Sequence, residues 1–132
     1  MPISYEIDDE RRQVHTTVTG PVTVREILDH LELSRRREIL GYAELIDARA
    51  VAQPFLSPAD LWRTAQGIRA LNLTAPFGPR AILVADDRVY ALSCLFAVGV
   101  IGLISISVFR NLHSAEDWLD WRAERQGAAA TT

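Results

Sequence analysis

The residues that could carry out chemistry in this chain are few and far apart. His15, His30 and His113 show neither the H-x-x-x-H nor the H-x-E spacing that zinc sites use. Cys94 is the only cysteine, which leaves no internal disulfide and no C-x-x-C pair for zinc or redox chemistry. The chain contains no lysine, so catalysis by a lysine Schiff base or a lysine general base is excluded. The sequence predicts no catalytic residue, no metal ligand and no cofactor.

One polar cluster is predicted at the edge of a sheet. Asp47 and Arg49 end a predicted parallel strand, and the carboxyl ends of such strands form the edge where α/β sheets bind ligands. Ser57 begins the next predicted helix, where its hydroxyl is either a helix cap or a regulatory site. We expect these three residues to form a polar or regulatory cluster. An enzyme with an unrecognised site at the same place is the alternative.

A compact run of positive charge lies at 35–37. Arg35, Arg36 and Arg37 suit a peripheral contact with a membrane, because anionic lipid contributes about 1 kcal/mol of attraction for each such charge. The flanking acids Glu32 and Glu38 favour the alternative of a solvated helix face. The formal net charge of −3 argues against nucleic acid as a partner, since nucleic-acid binding needs a basic surface.

The longest uncharged segment of the chain runs from Val89 to Phe109. A transmembrane helix needs about 20 apolar residues, so this segment is long enough to span a bilayer. However, Gly99 and Gly102 weaken a continuous helix, and the residues after them alternate as in a strand. We therefore predict a buried helix, a turn and a strand. The helix would contribute to the core, to a subunit contact or to a pocket for an apolar ligand, and the predicted lining of that pocket is Trp62, Phe77, Tyr90, Cys94, Phe96 and Val98.

The remaining elements follow from periodicity and capping signals. Two alternating segments at 3–7 and 14–18 predict an antiparallel hairpin. Helices are predicted after Thr23, Ser57, Asp86 and Ser114, each of which can cap a helix. Strands are predicted at 43–49 and 81–85, and the second of these is apolar on both faces, which is typical of an interior strand. That strand needs cover on both faces of the sheet, from the last helix, a second subunit or an apolar ligand.

The predicted fold class is α/β, with the order β-β-α-β-α-β-α-β-α. Right-handed crossovers would wind it into a single mixed, mostly parallel five-stranded sheet that begins with the antiparallel hairpin. We expect one domain over 1–125 and a disordered tail at 126–132. The first residues lack the basic start and apolar stretch of a signal peptide, which favours a cytoplasmic protein.

Several short strings, in this order, resemble the SpoIIAA-like family of small bacterial proteins, which is related in fold to STAS domains and to the CRAL-TRIO lipid-transfer fold. The resemblance covers nearly the whole chain, from about residue 3 to 121, and implies a sheet-and-helix domain without enzymatic activity. It also implies a protein that binds apolar ligands or associates with membranes. The strings are Thr19-Gly20-Pro21-Val22-Thr23, Leu45-Ile46-Asp47-Ala48-Arg49, Ser57-Pro58-Ala59-Asp60-Leu61, Val108-Phe109-Arg110 and Ala115-Glu116-Asp117-Trp118-Leu119.

The same resemblance implies an alternative function. Partner-switching STAS proteins carry a phosphorylatable serine at the start of the helix after the third strand, a place that Ser57 occupies here. The chain departs from those antagonists because the Asp-Ser pair typical of them is absent. Our main expectation is a non-enzymatic binding module for a small apolar or lipid-like ligand, in a homodimer or in peripheral contact with a membrane. A STAS-type regulatory domain is the alternative.

Overall fold

The computed structural model describes residues 2–51, 56–71 and 77–131, with side chains through residue 125. The described elements follow the predicted order of strands and helices. They are β1 Ile3–Asp8, β2 Gln13–Val18, α1 Val24–Arg36, β3 Ala43–Asp47, α2 Pro58–Ala70, β4 Arg80–Leu83, α3 Asp87–Gly99, β5 Ile106–Phe109 and α4 Leu112–Thr131.

The strands form one five-stranded sheet in the order β1-β2-β3-β4-β5. β1 pairs antiparallel with β2, and every later pair is parallel. Because each parallel connection moves one strand further in the same direction, right-handed crossovers place α1, α2 and α3 on one face of the sheet. The predicted α/β fold with its opening hairpin is confirmed.

Helix starts depend on side chains that satisfy unpaired backbone N–H groups. Thr23 and Ser57 each form a complete capping box with the acid three residues later. The carboxylate of Asp86 accepts from two backbone N–H groups at the start of α3. The predicted cap of α4 at Ser114 is wrong by one turn. Asn111 is the cap, because its side-chain oxygen accepts from the backbone N–H of Ser114.

The two faces of the sheet carry different cores. Ile82 of β4 and Val84, directly after the strand, pack toward α2 and α3, whereas Ala81 and Leu83 pack with Ala115 of α4 and its neighbours. The cover that the doubly apolar strand requires therefore comes from α4.

The long uncharged segment folds back on itself as predicted. α3 ends at Gly99, and a turn with Gly102 at φ +85° leads into β5. Val100 in this turn is fully buried. Among the helices within the described ranges, none is long and apolar enough to cross a membrane.

The last helix extends further than the sequence analysis expects. The tail predicted as disordered begins at residue 126, whereas the backbone of α4 is helical to Thr131. Three consecutive alanines at 128–130 favour this continuation, because alanine has the highest helix propensity. The division into a domain over 1–125 and a separate tail stays a prediction.

Gly78 permits a close approach between the loop before β4 and the loop before β3. Its N–H donates to the carbonyl of Leu40 at 2.7 Å. A methyl group at Gly78 would lie only 2.3 Å from the carbonyl oxygen of Tyr42 and 2.5 Å from that of Gly41. No side chain other than hydrogen fits between these two backbone segments.

We predict that Gly78→Ala lowers the free energy of unfolding by roughly 3 kcal/mol, because the backbone must move apart to admit the methyl group. Gly41→Ala is the matched control, since a methyl group there meets nothing within 4 Å. The control should stay within about 1 kcal/mol of the native protein in urea unfolding. Equal losses in the two variants would contradict this interpretation.

Candidate functional site

A cavity of about 130 Å³ lies between the sheet and the helices α1, α2 and α3. Strand alternation points every second side chain of β1 to β4 toward it, and one face of each helix completes the wall. Its surface is almost entirely apolar, although five polar residues contribute to the wall. The lining residues are Ile3, Thr16, Val18, Val22, Ile27, His30, Glu44, Ile46, Ala48, Leu56, Leu61, Thr64, Ile82, Ser93 and Phe96.

Glu44 is the charged residue of this wall and is 3% exposed. The hydroxyl of Thr16 donates to its Oε2 atom. His30 Nε2 lies 3.0 Å from the same oxygen and donates to it, and the edge of the Tyr5 ring packs against the His30 ring. β2 and α1 therefore each contribute a donor to a carboxylate that β3 places inside the protein, and β1 packs against the donor from α1.

Arg80 is the counterion of Glu44. The two residues are register partners on β4 and β3, and Arg80 Nε lies 3.3 Å from Glu44 Oε1. A second nitrogen of the guanidinium donates to the backbone carbonyls of Leu40, Tyr42 and Gly78 at 2.7 to 3.1 Å. Arg80 is itself only 4% exposed, so both charges of the pair are withdrawn from water.

The surroundings keep Glu44 ionised. Burial alone raises the pKa of Glu44, but the hydrogen bonds from His30 and Thr16 and the charge of Arg80 outweigh burial, and the pKa lies below its ordinary value. Burial lowers the pKa of Arg80, and the charge of Glu44 opposes that change. We conclude that Glu44 is ionised at neutral pH and that Arg80 neutralises its charge inside the protein.

The structure distributes the predicted pocket residues over several places. Phe96 lines the interior cavity. Trp62 and Val98, together with Phe96, instead line an exposed groove of about 270 Å³ between α2 and α3. Trp62 is 64% exposed and Val98 66% exposed. The apolar face of α3 is thus divided, because one side points to the sheet and the other points away from it.

The three other predicted lining residues do not contribute to the interior cavity. Phe77 lies beneath the guanidinium of Arg80, 5.4 Å from carbon Cζ to the ring centre. The Tyr90 ring lies beneath the guanidinium of Arg110, with 4.4 Å between the Arg110 Cζ atom and the ring centre. Cys94 is half-buried on α3. Phe77 lies in the loop before β4, and the sequence signal of Tyr90 and Cys94 does not specify which side of α3 they occupy.

The predicted polar cluster at the edge of the sheet forms two separate local contacts. Asp47 and Arg49 bind each other in a bidentate pair with distances of 3.0 and 2.8 Å. This contact lowers the pKa of Asp47 and raises that of Arg49. The hydroxyl of Ser57 accepts from the backbone N–H of Asp60 at 3.1 Å as a helix cap. A regulatory role of these three residues stays a prediction.

The basic run at 35–37 is exposed and partly neutralised. Arg35 and Arg36 both pair with Glu32 on the same face of α1. The guanidinium of Arg37 lies over the Tyr5 ring at 5.7 Å. Contact of this run with a membrane stays a prediction.

Sequence reasoning missed the group Thr16, His30, Glu44 and Arg80. A signal was present, because Glu44 stands inside an apolar strand and Arg80 begins the next apolar strand. Charged residues at such positions are almost never buried without a partner. Glu44 and Arg80 are neighbours only because of the sheet register. The position of α1, which brings His30 to Glu44, is set by the tertiary fold.

The comparisons with known proteins agree with this architecture. The sequence matches no family model and no curated protein sequence. Among solved structures, the chain is similar to an uncharacterized protein from the DUF3478 family with a SpoIIAA-like fold from Shewanella loihica PV-4. The two are 16% identical over 89% of this chain and 93% of that chain, with a TM-score of 0.59. The protein is an α/β protein with the SpoIIAA-like fold, which confirms the fold that the resemblance in the sequence implies.

We predict that Glu44→Gln lowers the free energy of unfolding by roughly 3–5 kcal/mol at pH 7, because Arg80 is left buried without its counterion. A carboxyl with a lowered pKa stabilises the fold above its ordinary value of 4.5 and loses that contribution as the pH falls through the lowered value. The difference in the free energy of unfolding between the native protein and Glu44→Gln, measured by urea unfolding, should therefore become smaller below pH 4.5. Asp47→Asn is the control, because Asp47 pairs with Arg49 where both side chains are more exposed to water. Its free energy of unfolding should fall much less than that of Glu44→Gln. A gap that stays constant down to pH 2 would contradict the prediction.

Replacing Ser57 separates its capping role from a regulatory one. Ser57→Ala should lower the free energy of unfolding by about 1 kcal/mol through loss of the cap. Ser57→Asp retains an acceptor at the same place and should recover most of that loss. If both variants lose on the order of 3 kcal/mol of unfolding free energy, Ser57 does more than cap the helix.

Proposed function

We propose that this protein is a non-enzymatic binding module that holds one small apolar ligand in the cavity between the sheet and α1, α2 and α3. The observation that carries the proposal is the cavity itself, about 130 Å³ with an almost wholly apolar surface. Protein interiors are close-packed and contain few voids larger than a water molecule. An apolar cavity of about 150 Å³ accommodates benzene or xenon. The ligand is accordingly of the size of a single ring or a short alkyl chain.

Energetics favour a filled cavity over an empty one. Residual cavities cost about 24 cal/mol per Å³ when they stay dry, so about 3 kcal/mol is the largest cost that a volume of 130 Å³ can carry. A ligand that matches the volume recovers much of this free energy through dispersion contacts with side chains such as Ile46, Ile82 and Phe96. Binding and folding are therefore coupled, and a ligand should raise the stability of the protein.

The arrangement of the polar groups supports binding rather than catalysis. Thr16, His30 and Arg80 all direct their donors at Glu44 or at backbone carbonyls. These contacts engage the hydroxyl of Thr16, the guanidinium of Arg80 and one ring nitrogen of His30, and so they hold the wall in place. Peripheral contact with a membrane and homodimer formation remain part of the proposal, and the exposed groove with Trp62 and Val98 is the surface available for them.

Binding of toluene as a probe tests the proposed cavity. We expect toluene to raise the melting temperature of the native protein and to shift the amide signals of residues around the cavity in NMR spectra. Ala48 follows β3 directly and lines the cavity, so the larger side chain of Ala48→Leu should occupy the space. Toluene should then no longer raise the melting temperature of that variant. Ala91→Leu is the matched control, since Ala91 lies on the exposed side of α3. The control should respond to toluene as the native protein does.

Native mass spectrometry of protein purified without detergent examines the natural ligand. We expect a fraction of the molecules to carry an additional small mass that Ala48→Leu lacks. The absence of any toluene response in the native protein, together with a clean mass of the bare chain in several preparations, would refute the proposed function.

A further inference from the structure

The sheet ends in two edge strands that differ in charge. β1 carries Glu6 and Asp8 on its exposed side and contains no base. β5 contains neither a charged residue nor a proline, and it is as long as its neighbour β4. Natural proteins keep edge strands from pairing with other chains by placing charges or proline on them or by shortening them. β1 has this protection, and β5 does not.

The outer side of β5 presents backbone groups for pairing. The carbonyls of Ser105 and Phe109 accept hydrogen bonds at 2.9 Å from backbone N–H groups at the two ends of β4. Backbone direction alternates along a strand, so the N–H and C=O groups of Ile106 and Val108 point away from β4. Within the part of the chain that the structure describes, β5 pairs with β4 alone. Two donors and two acceptors therefore face outward.

We infer that β5 pairs antiparallel with β5 of a second copy of this chain, which joins the two sheets into one. The two-fold axis of this dimer passes beside Ser107. Ile106 of each copy then lies opposite Val108 of the other, and each such pair exchanges two backbone hydrogen bonds. The inference rests on the homodimer of the proposed function and gives it an interface, but it does not depend on the cavity.

The charge of this edge suits a second copy of the chain. Residues near a two-fold axis meet their own copies, so a charge there faces a like charge. No residue from Val89 to Phe109 is charged, and pairing of β5 with itself meets no such repulsion. Arg110 follows the strand and pairs with Asp87 of its own chain at 2.8 Å. Its two copies lie six strand positions apart, about 20 Å at 3.3 Å per residue.

α3 adds a helix contact to the same dimer. The Tyr90 ring lies beneath the guanidinium of Arg110, so this side of α3 lies toward β5. Cys94 and Ala97 share that side at helical spacing, and both are small and half-buried. Small side chains allow the two copies of α3 to approach closely. The groove with Trp62 lies on the side of α3 toward α2, stays exposed in this dimer and remains available to a membrane.

The mass of the native chain in solution tests the inference first. Sedimentation velocity and light scattering, without detergent and at concentrations up to the millimolar range, should show a particle of twice the 14.7 kDa of the chain. A chain that stays monomeric over this range would overturn the inference. Toluene binding by such a monomer would leave the cavity of the proposed function intact, so the two failures are distinguishable.

A charge beside the axis identifies the edge that pairs. Ser107 and Ser4 lie on the same face of the sheet, at its two opposite edges. Ser107→Glu brings two like charges together at the axis and should raise the dissociation constant of the dimer more than about tenfold. Ser4→Glu is the matched control on β1 and should leave the constant unchanged. Equal effects of the two substitutions, or no effect of Ser107→Glu, would refute the proposed edge.

A disulfide trap is the second test and needs only a conservative substitution, so it decides the matter even if Ser107→Glu does not fold. Ser107→Cys and Ser4→Cys are each combined with Cys94→Ser, which makes the new thiol the only one. In the dimer the two Cβ atoms at position 107 lie about 4.5 Å apart, close enough for a disulfide. With diamide as oxidant, Ser107→Cys should give a linked dimer on a non-reducing gel, and Ser4→Cys should not. No linked dimer from Ser107→Cys, or the same yield from both variants, would contradict the inference.

Discussion

The buried ion pair between Glu44 and Arg80 is the constraint on which the rest of the structure depends. Two charges withdrawn from water are tolerated only with good geometry and additional hydrogen bonds. Sheet register supplies the geometry, since the two residues are partners on adjacent parallel strands. Carbonyls from the loops before β3 and β4 supply the remaining acceptors for Arg80, and Gly78 allows those loops to approach. One guanidinium thus fixes where both central strands begin.

The cavity follows from the same arrangement. Polar side chains occupy the positions near Glu44 that apolar side chains would otherwise fill, and small residues such as Ala48 and Ser93 contribute to the rest of the wall. The helices on this face of the sheet also pack against one another and against the turn after α3, through residues such as Ala65, Ile68 and Val100. The interior is consequently incompletely filled on the face of the sheet that α1, α2 and α3 cover.

The architecture was accessible from the sequence because its signals are local. Alternation, capping boxes and the glycines after α3 specify elements without reference to distant residues, and strand order follows from short crossovers. The site was not accessible in the same way. Glu44, His30 and Arg80 come from three elements, and only the sheet register and the orientation of α1 bring them together. Trp62 on α2 and Val98 on α3 illustrate the same limit, since the pattern of apolar residues along a helix does not show which of them face the core.

A crystal of the native protein under xenon pressure tests the central claim most directly, because xenon binds in dry apolar cavities without requiring any specific contact. We predict one xenon atom between the sheet and α3, in contact with Ile46, Ile82 and Phe96. A structure without xenon at this place, in which those three side chains pack against one another and leave no space, would contradict the account.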